Sequence, residues 1–516
     1  MKILFPIVYL AAPIYGAAIR GQTHPSTPVV TKMTCHGIDY EYNELAGYGY
    51  VVSDARDKFG DTLGGLGSGI HLDRAAWKKL DNGSYTGVLW SLPDRGWNTE
   101  GTLNFHARVH KFTVNFTPEP DATAENPSAP NLFLQYEDTI LFSGPDGSPI
   151  SGLDADATGH ISFSGFPDLP VSNYTGDGFG GAGPGGKRVT IDAEGLYVND
   201  DSSFWVSDEY GPYVYLFSPD GKMLSAIRPP DALVPVRNGV TSFSSDSPPV
   251  YIHDGQDDDV DPADPESGRD NNHGFEGLSV SDDGKSLWVL LQVAAVQEGG
   301  LEAPTARHVR FLKYDISNRL APEYAGEWVL PLPFYTPENS NIAMATAMTD
   351  ILALENGQFF LLSQAPNAGH GGATSFSPYR QVDVFDISSA TDIRGPVYDC
   401  SNCNVANAES GELKEDITPA SLCSFLDVND NAQLNRFGMH NGGDQDQFLL
   451  NMKWESLGIV PVDPNTPNGE YYLFSLSDND FITQDGYMNG GKYHYVDSTG
   501  YNLDSQALVF KISISS

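Results

Sequence analysis

The feature that most constrains the fold of this chain is a turn phrase that recurs between apolar runs. Residues 217–222 read FSPDGK, residues 280–285 read VSDDGK, and residues 354–357 are a looser copy, LENG. Asp-Gly and Asn-Gly pairs between alternating apolar residues are typical of β-hairpin turns. Hairpins that recur along a chain are typical of propeller blades. The repetition therefore predicts an all-β fold of the β-propeller class, with six blades, or seven as the alternative.

Short strand-like runs, rich in β-branched and aromatic residues, continue along the mature chain. A β-sandwich is the alternative architecture, but a chain of 516 residues with this many strands favours radial repetition. Only residues 73–80 and 341–354 have patterns that favour helices. Because strands continue on both sides of each insertion, we expect residues 19–516 to form a single domain. Long loop insertions are predicted at residues 117–131, 174–187, 253–270 and 402–423.

The first 18 residues predict a secretory signal peptide. Lys2 supplies the positive start, residues 3–12 are apolar, and small residues up to Ala18 suit a cleavage site. No later run is long enough to span a bilayer, so we expect a secreted, extracellular protein without a membrane anchor. Three sequons suit that compartment. The candidate glycosylation sites are Asn82, Asn115 and Asn173.

The four cysteines predict disulfides. Cys35, Cys400, Cys403 and Cys423 allow two bonds in three possible pairings. Cys400 and Cys403 could instead form a redox or zinc pair, but a second pair at zinc-ribbon spacing is absent from the sequence. In an oxidising compartment a disulfide is the expected state of such a pair.

The net charge of −39 restricts the partners of the protein. Such a surface repels nucleic acid and anionic membranes, so we expect neither as a partner. It also repels anionic small molecules unless a basic pocket or a bound cation reverses the local field. We therefore expect the protein to bind a cation. We also expect it to be a monomer.

Charged clusters follow several of the predicted strands. In a propeller, equivalent ends of the inner strands meet at one mouth of the central channel, where carboxylates from different blades can share a hard cation such as Ca²⁺. Arg95 and Lys453 could bind an anionic group beside it. Asp and Asn also form turns, which explains residues 478–480 but not the glutamates. The candidate metal ligands are Asp94, Asp208, Glu209, Glu276 and Asp480.

Five phrases in order along the chain resemble the phytase-like domain family, also described as "esterase-like activity of phytase". They are GGLGSGI at 64–70, PDRGWN at 93–98, SDEYGPYVYLFSPDGK at 207–222, NHGFEGLSVSDDGKSLW at 272–288 and LFSLSDNDF at 473–481. The resemblance covers most of the mature chain. It implies a secreted or periplasmic β-propeller that hydrolyses phosphate or other esters with the help of a divalent metal.

The resemblance also implies site residues. Asp94, Arg95 and Asn98 stand at the family's DRG-x-N positions, and Asp208 and Glu209 at its acidic pair. Farther along, Glu276 is similar to its GFEGL glutamate, Lys453 and Glu455 to its late Lys-x-Glu element, and residues 478–480 to its DND element. Where the family often has a Glu-Arg pair, this chain has Ser363 and Gln364.

Three functions remain open from the sequence. The first is a phosphate-ester hydrolase, in which Arg95, Asn98 and Lys453 bind the small-molecule substrate and Glu209 or Glu455 is the general base. The second is a lactonase or carboxylesterase whose metal polarises a carbonyl group. The third is an extracellular binding protein with a structural cation, which the Ser363-Gln364 substitution favours.

Overall fold

The computed structural model describes residues 29–251, 260–338 and 340–515. The predicted signal peptide, residues 1–18, lies outside the described residues. Strands form nearly all of the regular structure, and they build five antiparallel sheets of four or five strands. The innermost strand of each sheet contacts the innermost strands of both neighbouring sheets, so the five sheets close into a ring. This arrangement confirms the predicted all-β propeller.

The five sheets are numbered as blades in the order in which the chain enters their innermost strands. From the axis outward, blade 1 contains Gly69–Lys79, Tyr85–Leu92, Arg108–Phe116 and Leu132–Leu141; blade 2 contains Ala193–Val198, Phe204–Asp208, Val214–Phe217 and Met223–Ile227; blade 3 contains Phe275–Val280, Ser286–Leu291, His308–Asp315 and Glu323–Pro331; blade 4 contains Ala347–Ala353, Phe359–Gln364, Arg380–Asp386 and Ser421–Asp427; blade 5 contains Lys453–Pro461, Glu470–Asp478, Ser505–Ser515, Ile38–Val51 and Thr31–Cys35.

Blade 5 closes the ring because it combines strands from both ends of the described chain. Ile38–Val51 pairs antiparallel with Ser505–Ser515, from Asp39 opposite Ser515 to Val51 opposite Ser505. The disulfide between Cys35 and Cys423 then ties the outermost strand of blade 5 to that of blade 4. The second disulfide joins Cys400 to Cys403 within an insertion. Both predicted disulfides are present. Of the three possible pairings of the four cysteines, the protein has Cys35–Cys423 with Cys400–Cys403.

The described residues form five blades rather than the six predicted. The three turn phrases are all hairpin turns, but they do not occupy equivalent places. Residues 281–285 and 354–358 join the first and second strands of their blades, whereas residues 218–222 join the third and fourth strands of blade 2. Treating the three turns as one repeat shortens the apparent period and therefore overestimates the number of blades.

Both helix predictions were wrong. Residues 73–80 belong mostly to the strand Gly69–Lys79, and residues 341–354 contain the strands Met344–Ala345 and Ala347–Ala353. The helix-like spacing of the first stretch comes from a large bulge between Asp73 and Lys78, where the ladder to the next strand is interrupted. The Asp73 carboxylate stabilises this bulge by accepting hydrogen bonds from the backbone of Ala75 and Ala76.

The insertions contain small hairpins and short helical turns. The hairpins pair Val171–Tyr174 with Gly186–Val189, Val236–Arg237 with Val240–Thr241, Phe334–Tyr335 with Met344–Ala345, and Gly486–Met488 with Tyr493–Tyr495; the helical turns are Val296–Glu298, Asn431–Leu434 and Asn435–Phe437. None of the helical turns in the described part has the length and apolar character that a bilayer-spanning segment needs.

The hydrophobic core consists of separate layers between adjacent blades. Between blades 3 and 4, Trp288, Phe311, Phe359 and Phe385 pack with ring centroids 4.8–5.2 Å apart. Such layers hold each blade face to face with the next and leave the strand ends free to present polar side chains.

The three sequon asparagines are exposed, and their glycosylation remains a prediction.

Candidate active site

The innermost strands of four blades share a β-bulge at the same end. In blade 3, Phe275 lies opposite Leu291 and Gly277 lies opposite Leu290, so that Glu276 is an extra residue. Blades 4 and 5 have the same irregularity, and blade 2 has one extra residue between Ala193 and Leu196. A bulge redirects the side chain that it carries. The residues placed by the four bulges are Glu194, Glu276, Thr349 and Glu455.

Glycine after two of these glutamates allows the inner strands to approach closely. A Cβ atom at Gly195 would lie 2.5 Å from Cβ of Leu278, and one at Gly277 would lie 3.1 Å from the backbone nitrogen of Ile351. Any larger residue would push neighbouring blades apart at this level. The Glu-Gly pairs therefore bring acidic side chains from separate blades close together near the axis.

A cavity of about 310 Å³ opens at this end of the channel. Seven carboxyl groups and two basic side chains line it, a surplus of five acidic groups. One histidine, His273, also lines it. The carboxyl groups belong to Asp94, Asp192, Glu194, Glu209, Glu276, Glu455 and Asp480, and the basic groups to Arg95 and Lys453.

Together with Asp478, which does not line the cavity, these carboxyl groups form three clusters, in each of which the possible ligand oxygens lie within 4.8 Å of one another. Two oxygens bound to one Ca²⁺ at 2.3–2.6 Å can be separated by at most about 5 Å, so each cluster has the dimensions of a calcium site. The clusters are Asp94 with Asp478 and Asp480, Asp192 with Glu194 and Glu209, and Glu194 with Glu276 and Glu455.

Lys453 already occupies the first cluster. Its Nζ lies 2.9 Å from Oδ2 of Asp478 and 2.8 Å from Oδ1 of Asp480. Burial lowers the pKa of the ammonium group, but the adjacent carboxylates outweigh burial and raise that pKa well above its ordinary value. One lysine therefore offsets part of the negative charge of the first cluster.

Arg95 neutralises part of the second cluster. Its Nη1 lies 3.0 Å from Oδ2 of Asp192 and 3.4 Å from the hydroxyl of Tyr210. Burial raises the pKa of Asp192 to about 7, although Arg95 opposes the shift. Nε of Arg95 is buried and has no hydrogen-bond partner among the described residues. Because a buried N–H group without an acceptor costs free energy, this N–H suits an anionic ligand in the cavity.

In the third cluster, basic groups offset the least of the negative charge. The nearest basic group is Lys453, whose Nζ lies 3.4 Å from Oε2 of Glu455 without forming a hydrogen bond to it. Oε2 of Glu276 is likewise buried and unpartnered in the described structure. Burial raises the pKa of Glu194, Glu276 and Glu455 well above the ordinary value, and neighbouring carboxylates raise it further. This cluster offers three carboxylate oxygens as ligands, and Oε2 of both Glu276 and Glu455 has no hydrogen-bond donor, so the cluster fits a hard divalent cation.

The structure gathers most of the predicted site residues in the one cavity. Those that line it are Asp94, Arg95, Asn98, Glu209, Glu276, Lys453, Glu455 and Asp480. Asp208 is the exception, because donors surround both of its oxygens. Oδ1 accepts from the backbone of Asp192 and Tyr210, and Oδ2 accepts from the backbone of Gly211 and the hydroxyl of Tyr215. Asp208 thus holds the turn that positions Glu209.

Two acidic residues of the site, Asp192 and Glu194, were missed from the sequence. A signal for Glu194 was present, because Glu194-Gly195-Leu196 repeats Glu276-Gly277-Leu278. Aligning the two Glu-Gly-Leu triplets as equivalent strands would have predicted a second channel-facing glutamate. Asp192, two residues earlier, has no such sequence signal.

Blade 4 gives the cavity a neutral wall. Ser363 and Gln364 are buried at the end of its second strand. Oε1 of Gln364 accepts a hydrogen bond from the backbone of Trp454 at 3.2 Å. Thr349 donates to the Trp454 carbonyl at 2.8 Å. The uncharged residues on this side are Ala347, Thr349, Gln364, Pro366, Asn367 and Met452.

Comparison with known proteins identifies relatives over nearly the whole chain. A family model described as "Phytase-like: Esterase-like activity of phytase" matches residues 61–481. An uncharacterized secreted protein from Arthroderma benhamiae is 49% identical over 488 residues, which cover 92% of this chain and 94% of the relative. The two disulfides fit the same oxidising location, and this chain is secreted.

Solved structures resemble the chain only distantly. The Malassezia sympodialis allergen Mala s 1 is 10% identical, with a TM-score of 0.30 and coverage of 95% of this chain and 93% of the allergen. A PQQ-bound aldose sugar dehydrogenase from Streptomyces coelicolor is also 10% identical, with a TM-score of 0.26 and coverage of 92% and 100%. Neither structure bears on the function of this chain.

Proposed function

The chain belongs to the phytase-like family, and on that premise we propose that it hydrolyses phosphate esters with the help of a divalent metal ion. One observation carries the proposal: two hydrogen-bond acceptors and one hydrogen-bond donor, all without partners, face the same cavity. Oε1 of Glu209 and Oε2 of Glu276 are buried acceptors without a donor, and Nε of Arg95 is a buried donor without an acceptor. A metal ion at Glu276, a water molecule at Glu209 and an anionic substrate at Arg95 would together satisfy all three.

Glu194, Glu276 and Glu455 are the residues that would hold the ion, since theirs is the cluster with the least basic compensation. We propose Ca²⁺ because every donor is a carboxylate oxygen. The ion would supply positive charge that polarises the phosphoryl group. Asp94 and Asp480, also predicted as ligands, lie in the cluster that faces Lys453 and would instead orient that lysine.

Three side chains would bind the phosphoryl oxygens. Nε of Arg95 is free to donate, and Nζ of Lys453 presents its positive charge to the cavity beside Asp480. Asn98 donates one amide hydrogen to Oδ2 of Asp94 at 2.7 Å, which orients the amide and leaves its second hydrogen for a ligand. Charge-assisted hydrogen bonds of this kind both orient the phosphate and offset its charge.

Glu209 is the proposed general base. Its side chain is fully buried, with the residue 1% exposed, and Oε1 has no donor among the described residues. The oxygen can therefore accept the proton of an attacking water molecule. Glu455, the other candidate from the sequence, is committed to the metal cluster and lies beside Lys453.

The test is phosphate release by the purified mature protein. After treatment with EDTA, the protein is assayed on p-nitrophenyl phosphate, glycerol phosphate and phytate, with Ca²⁺ or Mg²⁺ added back. We expect metal-dependent turnover that Glu276→Gln and Arg95→Gln abolish. Glu409→Gln, at an exposed glutamate, is the matched control. Absence of phosphate release under every metal condition rejects the proposal.

A neutral ester or lactone is the second candidate substrate. The surplus of five acidic groups and the neutral wall of blade 4 favour a ligand that brings little negative charge. By the same reasoning, phytate, which carries many phosphate groups, should be the poorest phosphate substrate. A panel of lactones and aryl carboxylic esters separates the two candidates, because turnover there without phosphate release identifies the lactonase or esterase.

A further inference from the structure

His273 and Asp270 form a side-chain pair at the mouth of the cavity. Nδ1 of His273 lies 3.1 Å from Oδ2 of Asp270, and Oδ1 of Asp270 accepts from the backbone of Asn271 at 2.7 Å. Both oxygens of the carboxylate are therefore held. The side chain of His273 is 36% exposed, whereas Glu209 in the same cavity is 1% exposed as a residue. The histidine thus lies on the solvent side of the proposed base.

The carboxylate fixes the orientation and tautomer of the ring. Because Asp270 can only accept a hydrogen bond when ionised, Nδ1 of His273 carries the hydrogen and Nε2 is the nitrogen that exchanges protons. No described residue hydrogen-bonds to Nε2. An imidazole oriented by a carboxylate through one nitrogen, with the other nitrogen free, is the arrangement that general acid–base catalysis requires.

The loop that carries the pair is anchored to the turn that carries Glu209. A Cβ atom at Gly274 would lie 2.3 Å from Cα of Glu209, so the two segments touch through their backbones. Arg269 is fully buried and donates to the carbonyl of Tyr210 at 2.9 Å. These contacts hold His273 at a set position relative to the proposed base, as a catalytic constellation needs.

We propose that His273, oriented by Asp270, is the general acid that protonates the leaving alcohol; this inference rests on the proposed function. A water oxygen forms a bond to phosphorus and gives its proton to Glu209. The bond between phosphorus and the ester oxygen breaks, and that oxygen takes the proton from Nε2 of His273. The products are inorganic phosphate and the alcohol, with Glu209 protonated and His273 neutral. Exchange with solvent restores both groups.

The test compares two leaving groups. An alkoxide leaves poorly and needs a proton, whereas p-nitrophenolate leaves without one. We expect His273→Asn to lower kcat/KM for glycerol phosphate by about 10²–10⁴-fold and for p-nitrophenyl phosphate by less than about tenfold. Asp270→Asn should change the two values in the same unequal way, but less. His160→Asn, at an exposed histidine 3.4 Å from Asp168, is the matched control and should change neither.

The ratio of the two kcat/KM values is independent of how much protein is folded, so a purely structural defect lowers both equally. Equal losses, or no loss, for His273→Asn overturn the general-acid role while wild-type turnover leaves the proposed function standing. A wild-type protein that hydrolyses neither ester overturns the proposed function and the general-acid role together.

Discussion

Replacing Glu276 by glutamine should lower the stability of the protein only when calcium is present. In the metal-free protein the buried Glu276 carboxyl lies near Glu209 and Glu455, and burial raises its pKa well above the ordinary value. Glutamine resembles the protonated carboxyl, so the metal-free variant should be as stable as the wild type or slightly more stable. With calcium bound, the same substitution removes one of three proposed ligands.

The expected size follows from mass action. Extracellular calcium sites have Kd values of about 10⁻⁴–10⁻³ M. At a Kd of about 0.1 mM and about 10 mM free calcium, binding adds about 2.7 kcal/mol to the free energy of unfolding. With an unfolding entropy of about 2.1 cal/mol/K per residue over roughly 480 residues, that raises Tm by about 3 °C. A loss of affinity of 10–100-fold reduces the added free energy to about 0.4–1.4 kcal/mol.

The assay is thermal unfolding by calorimetry at pH 7, in EDTA and in about 10 mM free calcium. Wild type and the exposed-site variant Glu409→Gln should both gain about 3 °C from calcium, and Glu276→Gln about 1.4 °C or less. An equal gain in Glu276→Gln refutes the assignment of this carboxylate as a ligand. A lower Tm of Glu276→Gln in EDTA refutes the argument from charge repulsion.

Three further predictions concern the same site and the ring closure. Burial raises the pKa of Asp192 to about 7 in the folded protein, against the ordinary value of 3.8, so the folded state holds this proton more tightly than the unfolded chain. The EDTA-treated protein should therefore lose stability as the pH rises from about 4 to 7. Urea unfolding at pH 5 and pH 7 checks this, and greater stability at pH 7 contradicts it. Lys453→Met leaves Asp478 and Asp480 without their cation and should cost about 3 kcal/mol in urea unfolding at neutral pH, a loss that a purely solvated surface lysine would not show. Breaking the Cys35–Cys423 disulfide, which spans 388 residues, should cost about 6 kcal/mol by chain entropy, against about 2 kcal/mol for Cys400–Cys403, which spans 3; equal losses of unfolding free energy in the two Cys→Ser double variants would contradict this.

Local patterns in the sequence predicted the fold class but not the number of blades. An Asp-Gly turn shows that two strands form a hairpin, but the same turn can join the first two strands of a blade or the last two. The turn at 218–222 is of the second kind. The pairing of Ile38–Val51 with Ser505–Ser515 is also invisible to local reasoning, since it depends on the closure of the whole ring.

The site residues were predicted where a side chain at the end of a strand has one possible role. Asp208 and Glu209 show the limit of this reasoning, because adjacent residues at a strand end point in opposite directions. Asp208 turns toward backbone N–H groups, and Glu209 turns into the cavity. Which of the two meets a ligand depends on the register of the strand pair, and a bulge between Ala193 and Leu196, on the neighbouring strand, shifts that register.

The asymmetry of the ring suggests how an ester would be oriented in the cavity. Three of the four bulges carry glutamate, and the fourth carries Thr349, whose hydroxyl bonds to the carbonyl of Trp454 instead of a ligand. The charged side chains of the cavity therefore lie on the other blades and their loops, with Glu276 and Glu455 on the two blades next to blade 4, and Arg95 and Lys453 are the two cations among them. A phosphoryl group would be drawn to the charged side by those two cations. The uncharged organic part would then lie against the neutral wall of blade 4, where it meets no carboxylate that would have to lose its hydration.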